Sequence, residues 1–373
     1  MKYIWERKNW FDFKYDDAAL LKPLSSLRVL QGRLLGRTAS LDIKLEAEAQ
    51  GAILVEEAVR TAEIEGQKLS REAVRSSVAV RLGLPHGIGA HDRNIEGLID
   101  VLLDGVRFHD KSLTLERLNG WHAALFPSGY SSLRKITAGR LRGDSPMQVV
   151  SGPIGKEKVH FEAVPKDRLD GEMRLFLEWW NSSYGGVDGI LRAAAVHLRF
   201  VTIHPYEDGN GRLARALTDM ALAQDERSKV RFYSISSEIM RSRNEYYKIL
   251  EDVQRCRIDV REWFLWFIEC VENSIEISRD IISGVFARLD FWNQHAQDGL
   301  NERQKKVINR ILEAGQGNFT GGLTTRKYVN ITKVSRATAF REIEDMLGKK
   351  ILRHLPGKGR SVHYDLIWPM ARS

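Results

Sequence analysis

The sequence has 373 residues but only two cysteines, Cys256 and Cys270, and no long apolar run. The cysteines show neither metal-site spacing nor a disulfide pattern, which fits a reducing compartment or simply two small buried apolar residues. No apolar stretch approaches the length that spans a bilayer. The first residues also lack the apolar segment of a signal peptide. These absences predict a soluble, cytoplasmic chain with no membrane partner.

Acidic residues are in deficit only near the C-terminus. The formal net charge is +8, and residues 301–373 hold 15 Lys and Arg against 6 Asp and Glu. The remaining residues hold 42 Lys and Arg against 43 Asp and Glu, so they are close to neutral. A polyanionic partner is therefore a question about the C-terminal segment alone.

One stretch, residues 203–215 (IHPYEDGNGRLAR), carries most of the chemistry. An apolar segment ends at His204, and the proline that follows prevents simple helical continuation. Gly209 and Gly211 bracket Asn210, and all three tolerate positive φ, so that backbone N–H groups can converge into an anion-binding nest. The stretch therefore predicts a turn that binds an anion.

A helix is predicted to begin at these glycines, because apolar residues recur at helical spacing from Leu213 onward. Arg212 and Arg215, three residues apart, can lean toward one anion at its N-terminus. Asp208 offers one hard oxygen for Mg²⁺ on nucleotide phosphates, and His204 is a base that titrates near neutrality. A glycine turn between two core helices would explain the glycines. It would not explain why His204, Asp208, Asn210 and the two arginines occur together. The pattern favours a phosphate-transfer site.

The same run resembles the signature of the Fic-domain family, His-Pro-Phe-x-Asp/Glu-Gly-Asn-Gly-Arg-x-x-Arg. It departs only at Tyr206, whose hydroxyl needs a partner if it is buried. The resemblance implies a transferase that moves AMP from ATP to a Ser, Thr or Tyr hydroxyl of a target protein, the chain itself included. It also implies that His204 deprotonates the hydroxyl and that Asp208 holds Mg²⁺. The residues that would bind the phosphates are Gly209, Asn210, Gly211, Arg212 and Arg215.

A second motif ends an earlier predicted helix at Thr61-Ala-Glu-Ile-Glu65-Gly66. Gly66 suits the position just after a helix, whereas a carboxylate in the last turn opposes the helix dipole. The motif resembles the family's inhibitory motif, Ser/Thr-x-x-x-Glu-Gly/Asn, which implies that Glu65 pairs with Arg215 and obstructs the γ-phosphate. Two alternatives stay open. Glu65 could be a solvated surface residue, or it could orient water and reverse the modification.

Five further features support or qualify this interpretation. Residues 147–150 and 159–163 are predicted to form a β-hairpin, which by resemblance is a flap that docks the target segment. The same resemblance implies that Asn244 and Tyr247 are candidates for contacts with adenosine, with core aromatic packing an equal alternative. His197 is predicted to be a core histidine, and the aromatic N-terminus is predicted to clamp onto the body. The aromatic run 263–267 is either core or a contact with a second copy, so a homodimer stays open.

The C-terminal segment is predicted to be a winged helix-turn-helix with three helices and a basic hairpin. Residues proposed to contact DNA are Ser335, Arg336, Thr338, Arg341, Lys358 and Arg360. The same fold could instead serve packing or dimerisation. A DNA-binding regulator whose core only senses nucleotide is thus the competing class of function.

The expected fold is mainly α. It comprises an N-terminal helical region with the inhibitory helix (1–90), a Fic-type helical catalytic domain with its β-hairpin flap (91–290) and a winged helix-turn-helix domain (296–373).

Overall fold

The computed structural model describes residues 2–39, 41–85, 92–151, 158–356 and 362–368. The chain divides into two compact units, residues 1–279 and residues 280–373. The turn of the predicted flap hairpin and the two predicted wing cations, Lys358 and Arg360, lie outside the described residues.

The first unit is built mainly of helices, which confirms the expected mainly α architecture. Its two small antiparallel hairpins are β1 (Tyr130–Ser131) with β2 (Arg134–Lys135), and β3 (Gln148–Ser151) with β4 (Lys158–Glu162). The second pair confirms the hairpin predicted at 147–163. The helices are α1 (Asp17–Thr38), α2 (Ile43–Ile64), α3 (Arg71–Leu82), α4 (Arg93–Arg107), α5 (Leu115–Leu125), α6 (Lys166–Ser182), α7 (Gly189–Ile203), α8 (Asn210–Glu226), α9 (Ile235–Arg241), α10 (Arg243–Gln254) and α11 (Val260–Gln294), the last of which continues into the second unit.

Helices α7 and α8 form the centre of the first unit. Every residue of α7 from Ile190 to Ile203 is buried, as is most of α8. A helix that is apolar on all sides belongs in a core, so the sequence itself places this pair centrally. The turn that joins the two helices carries the His-Pro motif, and the best-packed part of the unit therefore holds it in place.

His197 of α7 is a core histidine, as predicted. Its two ring nitrogens share hydrogen bonds with the Thr218 hydroxyl at 3.0 Å and the Tyr246 hydroxyl at 2.9 Å. Burial lowers the pKa of His197 to about 3, so the ring is neutral. Groups of three or more potential metal ligands are absent from the part of the chain that the structure describes.

Helix α2 ends in a Schellman motif, as the glycine predicted. Gly66 has φ of +77°, its N–H bonds the Glu63 carbonyl at 2.9 Å, and the N–H of Gln67 bonds the Ala62 carbonyl at 2.9 Å. These two bonds satisfy carbonyls that the helix leaves without partners. The end of α2 is thereby fixed at Glu65.

Helix α1 buries a narrow line of leucines. Leu20, Leu27 and Leu34 are buried, but Leu21 is 66% exposed. Seven-residue spacing puts the three buried leucines on one line of the helix, and Leu21 lies 100° away from the first of them.

The N-terminal aromatic residues pack onto the first unit, which confirms the predicted clamp. The Trp5 indole N–H donates to the Glu162 carbonyl at 2.8 Å, and the Trp10 indole N–H donates to the Glu172 carboxylate at 3.0 Å. Tyr3 is 2% exposed and meets Phe161 edge-on. Because these rings are occupied by protein contacts, they are not available for stacking on nucleic-acid bases.

After α11, the described residues of the second unit form three further helices and a small sheet. Asn301 and Ser335 cap the helices that follow them. Leu323 and Tyr364 form an isolated antiparallel bridge that adds a third short stretch beside the two strands. The elements are α12 (Glu302–Ala314), α13 (Thr325–Thr332), α14 (Arg336–Gly348), β5 (Leu352–His354) and β6 (Tyr364–Leu366).

The described helices contain none that is both long enough and apolar enough to pass through a lipid bilayer.

Cys256 and Cys270 are both free thiols. Cys270 is 2% exposed and is therefore one of the small buried apolar residues considered above.

Candidate active site

The turn between α7 and α8 is held by its own amide groups. His204 ends α7 with φ of +53°, and Gly209 precedes α8 with φ of +78°. The Asn210 side chain accepts from the Tyr206 N–H at 2.9 Å and donates to the Tyr206 carbonyl at 2.8 Å. Asn210 was predicted to bind phosphate, but its side-chain amide is engaged at both ends. Any contribution to anion binding falls to its backbone N–H.

Tyr206, the departure from the family signature, is fully buried and satisfied. Its hydroxyl donates to Asn119 Oδ1 at 2.9 Å, and its ring stacks on His122 with centroids 4.2 Å apart. Both partners belong to α5. The extra hydroxyl thus ties the turn to a neighbouring helix instead of remaining as an unpaired buried group.

His204 is arranged as a neutral base. Its Nδ1 lies 3.2 Å from the Val201 carbonyl oxygen, which can only accept, so Nδ1 carries the proton and Nε2 carries the lone pair. Burial lowers the pKa of His204, and the nearby Arg142 cation acts in the same direction. Arg142 also donates to the His204 carbonyl at 2.8 Å and fixes the backbone there. At neutral pH the ring is therefore ready to accept a proton at Nε2.

Asp208 is held by three neighbours. Gly209 N–H donates to Oδ1 at 2.5 Å, and the Ser131 hydroxyl donates to Oδ2. His122 donates from Nε2 to the Asp208 carbonyl at 3.2 Å, while burial lowers the pKa of His122 to about 4. The first two contacts orient the carboxylate beside the first turn of α8.

Arg212 is a buried cation without a carboxylate partner among the described residues. It is 6% exposed and lies over the Phe126 ring with its guanidinium carbon 4.7 Å from the centroid. Its Nε has no hydrogen-bond partner. Burial lowers the pKa of Arg212, partly offset by the charges of Glu65 and Asp208. An unpaired buried guanidinium is costly and indicates a place prepared for an anion.

Arg215 is engaged by the end of α2. Its Nε donates to the Thr61 hydroxyl at 2.5 Å, and its Nη2 donates to the Thr61 carbonyl at 3.0 Å and to Glu65 Oε1 at 2.8 Å. Burial alone would lower the pKa of Arg215, but the charge and hydrogen bond of Glu65, together with Tyr246 and Tyr247, outweigh it and the pKa is raised. The pairing of Glu65 with Arg215 is present.

Glu65 also lies directly against Gly211. A Cβ atom on Gly211 would be 2.2 Å from Glu65 Oε1 and 3.2 Å from Arg215 Nη1. Gly211 was expected to tolerate positive φ, but it is not among the residues with positive φ and lies inside α8. A larger side chain at this position would displace the Glu65 carboxylate, which approaches the helix backbone closely.

The two candidate adenosine residues lie at the start of α10. The Tyr247 hydroxyl donates to the Ile64 carbonyl at 3.3 Å, and Arg243 donates to the same carbonyl at 3.0 Å. Tyr247 is 39% exposed, so it is not a core aromatic; the neighbouring Tyr246 fills that role at 2%. Asn244 is exposed. Both candidates thus remain accessible at the edge of α2, and their role stays a prediction.

Sequence reasoning missed five side chains that shape this site. Three of them (Asn119, His122 and Phe126) come from α5 and its end, and the others are Ser131 and Arg142. They lie at least 60 positions before the motif residues they contact, in segments without a recognisable pattern. Only the buried hydroxyl of Tyr206 signalled in advance that a partner was needed.

A neutral base, a glycine turn, a carboxylate and a buried cation lie together at the start of a helix, an arrangement suited to phosphate groups. Residues 112–222 match the profile of the Fic/DOC family, and residues 3–84 match a domain of unknown function, DUF4172. The chain therefore contains a Fic domain within residues 112–222.

Similar proteins agree with this assignment. A protein adenylyltransferase Fic from Nematostella vectensis is 25% identical over 219 residues, covering 57% of this chain and 46% of that protein. The chain thus spans less than half of that relative's length. Two solved structures share the fold at low identity. A Fic family protein from Desulfovibrio desulfuricans G20 has TM-score 0.51 and 16% identity, covering 95% of this chain and 97% of its own. A Fic domain containing signaling protein from Bacteroides thetaiotaomicron VPI-5482 has TM-score 0.53 and 17% identity, covering 69% and 97%.

Proposed function

We propose that the chain is a self-inhibited protein adenylyltransferase that transfers AMP from ATP to a hydroxyl of a target protein. The hydroxyl oxygen attacks the α-phosphorus, its proton passes to His204 Nε2, and pyrophosphate leaves. The observation that carries this proposal is the tautomer of His204, whose Nε2 is free while Nδ1 is fixed by Val201. Catalysis is then mostly positioning and charge stabilisation, with one proton transfer.

The phosphates are held by the first turn of α8 in this proposal. The backbone N–H groups of Gly211 and Asn210 belong to that turn, and Arg212 supplies an unpaired buried cation. A helix start with such a cation is suited to a polyphosphate, because the N–H dipoles and the guanidinium both favour negative charge.

The residues present fit a Mg²⁺ ion that arrives with the nucleotide. Asp208 is an oriented carboxylate beside the helix start, and Mg²⁺ on nucleotides is commonly bound by one or two carboxylates together with phosphate oxygens and waters. The ion would neutralise phosphate charge when bound. Asp208 would hold it, and Ser131 would keep the Asp208 carboxylate in position.

The target segment is proposed to add as a strand to β3. The other strand, β4, is covered on its outer side, because Arg255 donates to the carbonyls of Val159 and His160 and Trp5 donates to that of Glu162. A cavity of about 510 Å³ lies beside β3 and is lined by Met147, Gln148, Val150, Arg142 and Glu207 among others. An open strand edge next to a cavity suits the docking of an extended peptide.

Self-inhibition is proposed from the position of Glu65. Its carboxylate lies over Gly211 and neutralises Arg215, so a γ-phosphate near that arginine would meet a negative charge. Bringing two negative groups together in a partly desolvated site is costly. ATP would therefore bind weakly, or with its α-phosphate turned away from the line of attack.

Incubation of the purified chain with labelled ATP and Mg²⁺ tests both parts of this proposal. Wild type is expected to label itself slowly, and Glu65→Gly roughly ten- to a thousandfold faster, as about 1.4 kcal/mol per decade implies. His204→Ala in the Glu65→Gly background should lose labelling but still bind ATP. Labelling that survives His204→Ala would remove His204 as the base, and equal rates for wild type and Glu65→Gly would remove Glu65 as the inhibitor.

A second candidate function, DNA binding, is favoured by the order of elements in the second unit. Helix α12, a bridging strand residue, helices α13 and α14 and the pair β5–β6 follow one another in the order of a winged helix. Arg336 and Arg341 are exposed on α14, and Ser335 precedes it. Thr338 is half-buried and bonds the Ser335 hydroxyl at 3.0 Å. The arginines, rather than Thr338, would then make the contacts to DNA.

A further inference from the structure

Helix α2 presents three polar side chains in a line toward the core. Glu57, Thr61 and Glu65 are four residues apart, so they lie on successive turns of one face. Thr61 and Glu65 contact Arg215, as described above. Glu57 is 4% exposed, and the proposed reaction makes no use of it. A buried carboxylate persists only where hydrogen bonds compensate its lost hydration.

The partners of Glu57 all come from the start of α9. The Ser234 hydroxyl donates to Oε2 at 2.7 Å, the Ser236 N–H donates to Oε2 at 3.1 Å, and the Ser236 hydroxyl donates to Oε1. Both oxygens are therefore satisfied by a single short segment. This segment immediately precedes α10, whose Arg243 and Tyr247 bond the last carbonyl of α2.

We propose that Glu57 is the positioning residue for self-inhibition: its anchorage on Ser234 and Ser236 fixes α2 along its axis and so holds Glu65 on Arg215. The inference rests on the proposed function. Eight residues of helix separate the two carboxylates by about 12 Å, and a helix is stiff over that length. Fixing one carboxylate therefore fixes where the other can reach.

Helix α8 faces the same stripe on α2. Asp219 follows Arg215 by one turn and is 5% exposed. Burial raises the pKa of Asp219 well above its usual value, and the Glu57 charge raises it further. Asp219 therefore lies near Glu57, while Arg215 lies near Glu65. Glu57 and Glu65 thus lie near different groups of α8. A shift of α2 along its own axis would therefore disturb both arrangements.

The test compares self-labelling of full-length variants, with kcat and KM for ATP measured separately. Glu57→Ala is expected to raise kcat/KM roughly tenfold to a hundredfold, the range for losing hydrogen bonds to a charged group. In the Glu65→Gly background the same change should give no further gain, because both act through one contact. Glu56→Ala is the matched control. It removes ion pairs of α2 with Arg60 and Arg71 but not the inward stripe, and it should leave labelling unchanged.

Two milder variants keep the inference testable if Glu57→Ala does not fold. Glu57→Gln keeps one acceptor oxygen and Ser236→Ala removes one donor, so each should give a smaller gain in the same direction. No gain in any of the three, or an equal loss in both backgrounds, would make Glu57 an ordinary fold residue and overturn the inference. Failure of Glu65→Gly itself to exceed wild type would instead show that self-inhibition is wrong.

Discussion

At the scale of single residues, Gly211 and Glu65 share one small space. Gly211→Ala in the wild-type chain forces the Glu65 carboxylate and Arg215 Nη1 to move, because its Cβ would lie 2.2 Å from Oε1. Overpacking of this kind costs about 1–3 kcal/mol of folding free energy. In the Glu65→Gly background the contact with Oε1 is gone and only the 3.2 Å approach to Arg215 Nη1 remains. Alanine in a helix is favoured over glycine by about 1 kcal/mol. The sign of the effect should therefore reverse between the two backgrounds, as measured by thermal or urea unfolding.

The matched control for this cycle is Gly120→Ala. Gly120 is a helical glycine of α5, and a Cβ there would meet nothing within 4 Å. Its substitution should have the same small effect in both backgrounds. If Gly211→Ala also had equal effects in both, the close approach of Glu65 to the helix would be wrong.

The residues of the motif could be predicted from the sequence because they are neighbours in the chain. His204, Asp208, Arg212 and Arg215 lie within one turn and the start of one helix, so local geometry brings them together. The functions of individual atoms were less predictable. The Asn210 amide bonds the Tyr206 backbone inside the turn, which the residue pattern does not reveal. Gly211 accommodates the close approach of Glu65 rather than a positive φ, and that contact comes from a distant segment of the chain.

At the scale of elements, α7 carries a pH-dependent part of the stability through His197. Its pKa is lowered to about 3 by burial, whereas an unfolded histidine titrates near 6.5. The unfolded chain therefore binds more protons below pH 6.5, and stability is lost as the pH falls from about 6.5 toward the folded value. The slope is at most about 1.4 kcal/mol per pH unit for this one group.

Comparison of unfolding free energies at several pH values between about 4 and 7 for wild type and His197→Gln tests this prediction. The variant cannot titrate at this position, so its stability should fall less steeply with acid, whatever its absolute stability. Asp219, whose raised pKa acts in the opposite direction, is common to both proteins and cancels in the difference. Parallel pH profiles for the two proteins would contradict the prediction.

The long helices were predictable from apolar spacing and caps, but four short elements were not. Helix α3 buries only Val74, Val78 and Ala79, and a stripe this narrow gives a weak signal. Helix α9 has seven residues, and its first turn is bonded to Glu57 from another helix. Strands β1 and β2 have two residues each, too few to show alternation. Tertiary contacts, which the local sequence does not encode, account for these elements.

At the scale of the whole molecule, the net charge is distributed unevenly along the chain. Residues 301–373 carry all of the net positive charge, while the preceding residues are close to neutral and hold the proposed phosphate site. An ATP site needs a few cations at defined positions, whereas a surface that binds nucleic acid needs an excess of positive charge over a whole face. This separation is what favours a polyanion partner for the second unit alone.

Binding of the full-length chain to duplex DNA should therefore depend steeply on salt. An affinity dominated by phosphate contacts falls linearly in log–log form, so titrations at about 50 mM and about 200 mM salt should differ by orders of magnitude. The double variant Arg336→Ala/Arg341→Ala should bind more weakly, and each lost phosphate contact should reduce the slope by about 1. Arg310→Ala is the control, because Arg310 is 67% exposed on α12 and outside the predicted helix-turn-helix contact face. Absence of binding even at the lower salt, or equal losses for the double variant and the control, would return the second unit to a role in packing or dimerisation.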